Sequence, residues 1–141
     1  MKTNYFLESL VYATIIVAVS GFLTWICGYF NVVFSESVSS NAISAIVGYS
    51  FTALFFLMAL PRTGFIKKID DNGSLVFYGF FVGMPTLLGI LQFILSAISV
   101  SSKILLFLFL CTSIWFLVSA IFIFLIIARN KNDKKEIHKS L

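Results

Sequence analysis

The stretch that decides the fold lies at residues 104–128, which read ILLFLFLCTSIWFLVSAIFIFLIIA and contain no charged side chain. A helix rises about 1.5 Å per residue and the hydrocarbon core of a bilayer is about 30 Å thick, so roughly 20 apolar residues cross it. Backbone polar groups in lipid must be satisfied within a helix or a closed barrel, and barrel strands alternate apolar with polar residues. Residues 104–110 do not alternate. The stretch therefore predicts a transmembrane helix.

Three further apolar tracts, at residues 6–30, 42–60 and 75–98, have the same character. Of the 141 residues, 60% are hydrophobic and only 11% are charged, against roughly a quarter charged in an average soluble domain. This composition excludes a soluble enzyme, a nucleic-acid module and a disordered tail. We predict an all-α integral membrane protein, in which residues 1–141 form one four-transmembrane-helix bundle and residues 129–141 are a short basic cytoplasmic tail.

The distribution of basic residues predicts the orientation, because cytoplasmic segments beside the spans carry the excess of Lys and Arg. Only Lys103 falls on the side opposite to the other nine of the ten basic residues. Both termini are therefore expected in the cytoplasm, and the expected location is a bacterial cytoplasmic (inner) membrane. The nine residues on the cytoplasmic side are Lys2, Arg62, Lys67, Lys68, Arg129, Lys131, Lys134, Lys135 and Lys139.

A cleaved secretory signal is the weaker interpretation of the first span, although Lys2 and the apolar stretch 10–19 roughly fit its pattern. Glu8 lies close to this stretch, and the hydrophobic tract continues without a break to Phe30. We therefore expect an intact first span.

The basic residues near the spans are expected to contact anionic lipid headgroups, at about 1 kcal/mol for each residue near the surface. Topology and headgroups account for the net charge of +4, so no nucleic-acid partner is inferred. The residues assigned to headgroup binding are Arg62, Lys67, Lys68, Arg129, Lys131, Lys134 and Lys135.

Residues that carry chemistry are scarce within the spans, where ionisable groups usually mark function. Glu8 is the one acid that enters a tract, and it lies near the interface, where a carboxylate can reach the headgroups. His138 lies in the tail, and the two cysteines, Cys27 and Cys111, lie on different spans at different depths, which favours free thiols over a bridge. We therefore expect no enzyme, no metal site and no cofactor.

Small residues at four-residue spacing, which let helices approach closely, occur on three spans. Such a stripe serves either packing within one bundle or contact with another chain, and the sequence favours the first use. The residues are Ser20, Thr24 and Gly28 on span one, Ser44, Gly48 and Thr52 on span two, and Gly79 and Gly83 on span three.

Span three is the most irregular, because Pro85 lacks a backbone N–H and crowds the carbonyl of Phe81, which predicts a kink. Gln92 follows seven residues later on roughly the same face. These groups could line a path or gate, as broken helices do in transporters, or could bond across the bundle. Trp115 falls near the middle of span four, where its indole N–H needs a partner, so we expect it to face the bundle near Thr112 or Ser119. The alternative is that Trp115 belongs to the same path or gate.

These features favour a non-catalytic membrane protein that acts by helix–helix contact with another membrane protein, as an accessory, inhibitor or toxin-immunity protein. The alternative is a small homo-oligomeric channel, exclusion-type pore or transporter subunit, in which span three lines the path. In gross architecture the chain resembles bacterial membrane immunity proteins against pore-forming toxins and four-span phage exclusion proteins. The expected partners are lipid and either another membrane protein or copies of the chain itself.

Overall fold

The computed structural model describes residues 5–30, 35–61, 66–67 and 74–139. These residues contain four long helices: α1 (Tyr5–Tyr29), α2 (Glu36–Ala59), α3 (Ser74–Ala97) and α4 (Ser102–Lys139). Each includes a segment that is long and apolar enough to cross a membrane, namely Ser9–Tyr29, Ser37–Ala59, Phe77–Ala97 and Ser102–Arg129. The all-helical, four-helix membrane fold expected from the sequence is thus confirmed.

Two helices extend beyond the predicted apolar tracts. α2 begins at Glu36 rather than at residue 42, after Ser35 in an extended conformation, because polar residues continue a helix that hydropathy does not detect. α4 continues past residue 128 to Lys139, through a segment without glycine or proline in which lysine, a good helix former, recurs. The basic tail is therefore helical as far as Lys139.

The turn between α3 and α4 is tight and is closed by hydrogen bonds to the end of α3. Ser99 adopts a left-handed conformation with φ of 57°. Its N–H donates to Ser96 O at 3.1 Å, and the N–H of Val100 donates to Leu95 O at 3.2 Å. This pair of bonds is the Schellman pattern that satisfies the last carbonyls of a helix.

α2, α3 and α4 form the centre of the bundle, and α1 packs beside them. α2 contacts α3 extensively and α4 less, whereas α1 lies against α4 and touches α3 at few positions. Among the described residues, no Cα atom of α1 lies within 8 Å of a Cα atom of α2. We call the end of the bundle that contains Ser39, Gln92 and Leu105 the hairpin end, and the end that contains Leu57 and Ile126 the tail end.

Two clusters of buried apolar residues hold this arrangement. One joins α1, α3 and α4 through Ile16, Phe81, Cys111 and Trp115. The other lies at the tail end and includes Ile66, which follows α2 and precedes α3 in the sequence. Ile66 is fully buried and packs with residues of α2, α3 and α4. In lipid, such contacts stabilise the bundle mainly by van der Waals packing. The first cluster includes Phe81, which lies four residues before Pro85 on α3.

Candidate functional site

Pro85 leaves the carbonyl oxygen of Phe81 without its usual helical donor, and two side chains of α4 replace that donor. Trp115 Nε1 donates to Phe81 O at 3.1 Å, and Ser119 Oγ donates to the same oxygen at 3.3 Å. Trp115, Ser119 and Phe81 are all buried. α3 remains one continuous helix through Pro85 because a neighbouring helix satisfies the freed group.

Aromatic rings fill the space around this carbonyl. The Phe81 ring lies 5.4 Å from that of Trp115 and 5.4 Å from that of Phe122, measured between centroids. Tyr12 of α1 packs edge to face against Phe122 at 5.8 Å. We call Phe81, Pro85, Trp115 and Ser119 the carbonyl lock, since they fasten α3 to α4.

Pro85 and Trp115, two of the three residues that could line a path, lie in packed positions inside one chain. Trp115 faces the bundle as the sequence predicted, but its partner is a backbone carbonyl. Ser119 shares that acceptor, whereas Thr112 bonds to Leu108 O of its own helix at 2.8 Å. The chemistry that this arrangement supports is interhelical hydrogen bonding.

Gln92, the third of these residues, lies apart from the lock at the hairpin end. Its side chain is 4% exposed, and its Oε1 has no hydrogen-bond partner among the described residues. It borders a cavity of about 20 Å³ formed by α2, α3 and the start of α4. The cavity is lined by Ser39, Ser40, Ile43, Gln92, Phe93, Ser96 and Leu105.

The small residues of α3 lie on its contact with α2. A Cβ at Gly79 or Gly83 would meet the side chain of Leu54 at 3.7 or 3.6 Å, which is ordinary contact. A Cβ at Gly89 would instead overlap Val47 Cγ2 and approach Ile43 Cγ2 to 3.2 Å. Among the described glycines of α3, Gly89 therefore leaves the least room for a side chain against α2.

Sequence reasoning did not assign Gly89, although its position offered a signal. It lies one turn beyond Pro85 on the segment that the sequence marks as irregular. The spacing rule passed over it because Pro85, four residues earlier, is not small.

The stripe on α1 changes character along the helix. Ser20 is fully buried beside Cys111, and its hydroxyl donates to Ile16 O at 2.7 Å. Thr24 is partly buried and donates to Ser20 O at 2.7 Å. Gly28 is exposed, and a Cβ there would meet nothing within 4 Å. Ser20 and part of Thr24 thus pack inside the bundle, whereas Gly28 does not.

The stripe on α2 lies outside the bundle. Ser44, Gly48 and Thr52 are all exposed, and a Cβ at Gly48 would meet nothing within 4 Å. Thr52 Oγ1 donates to Gly48 O at 2.9 Å, so its hydroxyl is satisfied within the helix. The structure therefore separates this stripe from that of α3, which packs within the chain.

An apolar groove of about 380 Å³ opens at the surface between α2 and α4, nearer to the tail end. Ser50 borders it, with a hydroxyl that is buried and has no hydrogen-bond partner within the described part of the chain. The other residues that line the groove are Tyr49, Ala53, Val82, Phe116, Ser119, Ala120, Ile123, Phe124 and Ile127.

Of the residues assigned to headgroup binding, Lys67 and Arg129 are exposed. Arg62 and Lys68 lie outside the described residues, as do the side chains of Lys131, Lys134 and Lys135, whose backbone belongs to α4. Cys27 and Cys111 are free thiols. In the described ranges, no group of three His, Cys, Asp or Glu side chains could hold a metal ion.

Comparisons with known proteins give no relative: no family model matches the chain, and neither the curated proteins nor the solved structures contain a match. Any function assigned to the chain therefore depends on its own geometry.

Proposed function

We propose that this integral membrane protein acts without catalysis, by binding a transmembrane helix of another membrane protein along α2. The observation that carries the proposal is the exposure of Ser44, Gly48 and Thr52, the one small-residue stripe whose members all lie on the surface. The role is that of an accessory, inhibitor or toxin-immunity protein.

The surface of α2 has the shape that close helix packing requires. Without a Cβ at Gly48, a second helix can approach the backbone, and van der Waals contact is the main source of helix association in lipid. Phe51 and Phe55 pack edge to face at 4.8 Å and are both exposed beside the stripe. Their rings form a ridge beside Gly48. A partner helix can pack against this ridge and lie close to the backbone at Gly48.

The membrane orientation that we propose follows the basic residues. Lys67 is exposed where α2 leads into α3, and Arg129 is exposed where α4 leaves its apolar segment. Both belong to the tail end, so the excess of basic residues supports a cytoplasmic position for this end and for both termini. A bacterial inner membrane is the location proposed with it, and lipid headgroups are the partners of these cations.

The test is to extract the protein gently from its native membrane and to weigh the intact assembly by native mass spectrometry. The wild-type assembly should contain a foreign chain in a fixed stoichiometry, and the Gly48→Leu assembly should lack this chain. Ala128→Leu is the matched control, since Ala128 is exposed on α4 and away from the stripe. A wild-type monomer, or a partner that Gly48→Leu retains, would contradict the proposal.

The second candidate is a homo-oligomeric channel or transporter subunit with α3 beside its path. The polar cavity at Gln92 favours it, because a buried amide with an unpaired oxygen is costly in a purely structural helix. In the native assembly, copies of this chain alone would replace the foreign partner. Gln92→Leu should then change ion or solute flux in proteoliposomes while the yield of folded protein is unchanged, and unaltered flux would exclude this candidate.

A further inference from the structure

The cavity beside Gln92 is a built polar site whose occupant neither proposed function names. It lies where α2 begins, α3 ends and α4 begins, and its volume of about 20 Å³ exceeds the roughly 10–15 Å³ that one water molecule needs. Ile43 and Leu105, both buried, form its inner wall. Ser40 and Ser96, both exposed, form its rim at the hairpin end, near the ends of the segments Ser37–Ala59 and Phe77–Ala97, so the cavity lies close to the membrane surface.

The side-chain amide of Gln92 is a buried group of this site with an incomplete set of hydrogen bonds. Gln92 is 4% exposed, and its Oε1 has no donor within the described residues. A buried acceptor left unpaired loses its hydrogen bonds to water without replacement, so an occupant that donates a hydrogen bond is stabilised there. The serines on the rim offer hydroxyl groups that both donate and accept, which gives an occupant further partners.

We propose that the Gln92 cavity binds a single water molecule, which donates to the Gln92 amide and bridges it to serine hydroxyls at the hairpin end. Water fits better than an ion, because no charged side chain lines the cavity among the described residues. The helix dipoles also disfavour a cation. The N-terminal ends of α2 and α4, which carry partial positive charge, lie near the site, whereas only α3 ends there with its negative C-terminal end. Water also satisfies the amide in either of its orientations.

The test uses the fact that Gln92 is the only glutamine of the sequence. Protein labelled with ¹⁵N-glutamine in lipid nanodiscs gives one side-chain amide pair in its NMR spectrum. The proposal expects a water cross-peak from these amide protons with the sign of a long-lived contact. A resolved Gln92 amide that shows cross-peaks only to protein protons would overturn it.

Two variants show whether the water occupies this cavity. Ser96→Val fills the cavity from α3, and the cross-peak should disappear, whereas Ala97→Val, at the exposed neighbouring position, should retain it. Ser40→Val fills the site from α2 if Ser96→Val does not fold. Retention of the cross-peak in a folded filled variant would overturn the proposal. So would a saturable shift of the amide signal when N-methylglucamine is replaced by sodium or potassium, because it would show a cation instead.

Discussion

The carbonyl lock predicts that Trp115 and Ser119 substitute for each other. Both donate to Phe81 O, so Trp115→Phe or Ser119→Ala alone leaves that carbonyl with one donor. The hydrogen bond lost in each single variant is worth about 0.6 kcal/mol in a membrane protein, in addition to the packing that the indole loses. The double variant leaves a buried acceptor without any donor, which costs about 1–3 kcal/mol.

The double variant should therefore lose about 1 kcal/mol more free energy of unfolding than the sum of the two single variants. The packing lost with the indole enters both sides of this cycle and cancels. Unfolding by increasing sodium dodecyl sulfate in mixed micelles, followed by far-ultraviolet circular dichroism, measures all four proteins without depending on tryptophan fluorescence.

Pro85 supplies the control for this cycle. In Pro85→Ala the backbone N–H returns and donates to Phe81 O within α3, so the carbonyl keeps a donor in every variant. The extra loss in the double variant should then fall to nearly zero. The reasoning is refuted if the two losses add within about 0.5 kcal/mol while Pro85 is present, or if the coupling is unchanged by Pro85→Ala.

Three further substitutions test the packing of the helices and the turn. Gly89→Ala should destabilise the bundle by about 1–3 kcal/mol in the same unfolding assay, because its Cβ overlaps a side chain of α2, and an unchanged midpoint would show that α2 yields without cost. Gly83→Leu should lose a similar amount, whereas Gly48→Leu should stay within about 0.5 kcal/mol of the wild type; equal losses would place both glycines in the bundle. Ser99→Gly should stabilise the protein by about 1 kcal/mol, since glycine adopts the left-handed conformation without strain, and a loss of stability would mean that the Ser99 side chain contributes more than this strain costs.

Hydropathy predicts the spans well because lipid selects for length and apolar composition, and these are properties of a sequence window. α1 and α3 begin within one residue of the predicted tracts. The start of α2 and the end of α4 differ from the predicted tracts because both helices continue through polar residues, which hydropathy does not register. Hydropathy therefore located the apolar segments but missed the helical turns before residue 42 and after residue 128.

The inward faces of the helices could not be predicted in the same way. In water, an apolar stripe marks the face that packs, but in lipid both faces of a span are apolar. On α2 the buried face includes Ser50, whereas Phe51 and Phe55 are exposed, which reverses the pattern of a soluble protein. The sequence could thus identify the small-residue stripes but could not decide which of them pack within the chain.

The carbonyl lock shows the same division between local and tertiary information. The loss of a donor to Phe81 O follows from Pro85 alone, because the helical hydrogen bond connects residues four apart. The inward position of Trp115 follows from its indole N–H near the middle of a span. That these two needs satisfy each other depends on the register of α3 against α4, which brings together residues 34 apart in sequence.

The arrangement of the helices also bears on the choice between the two proposed functions. A path along the axis of one chain needs helices that surround it. Among the described residues, the backbones of α1 and α2 do not approach each other closely, and α3 is joined to α4 by hydrogen bonds beside Pro85. A channel would therefore have to form between copies of the chain. In that case a homotypic contact of α2 at Gly48 would orient the copies, so Thr52→Cys should form a disulfide between two copies in native membranes. If the chain instead binds a foreign protein along α2, two copies of Thr52→Cys should not form a disulfide with each other, and the cysteine should cross-link to the foreign chain. The cross-linked product of this one variant therefore distinguishes the two functions.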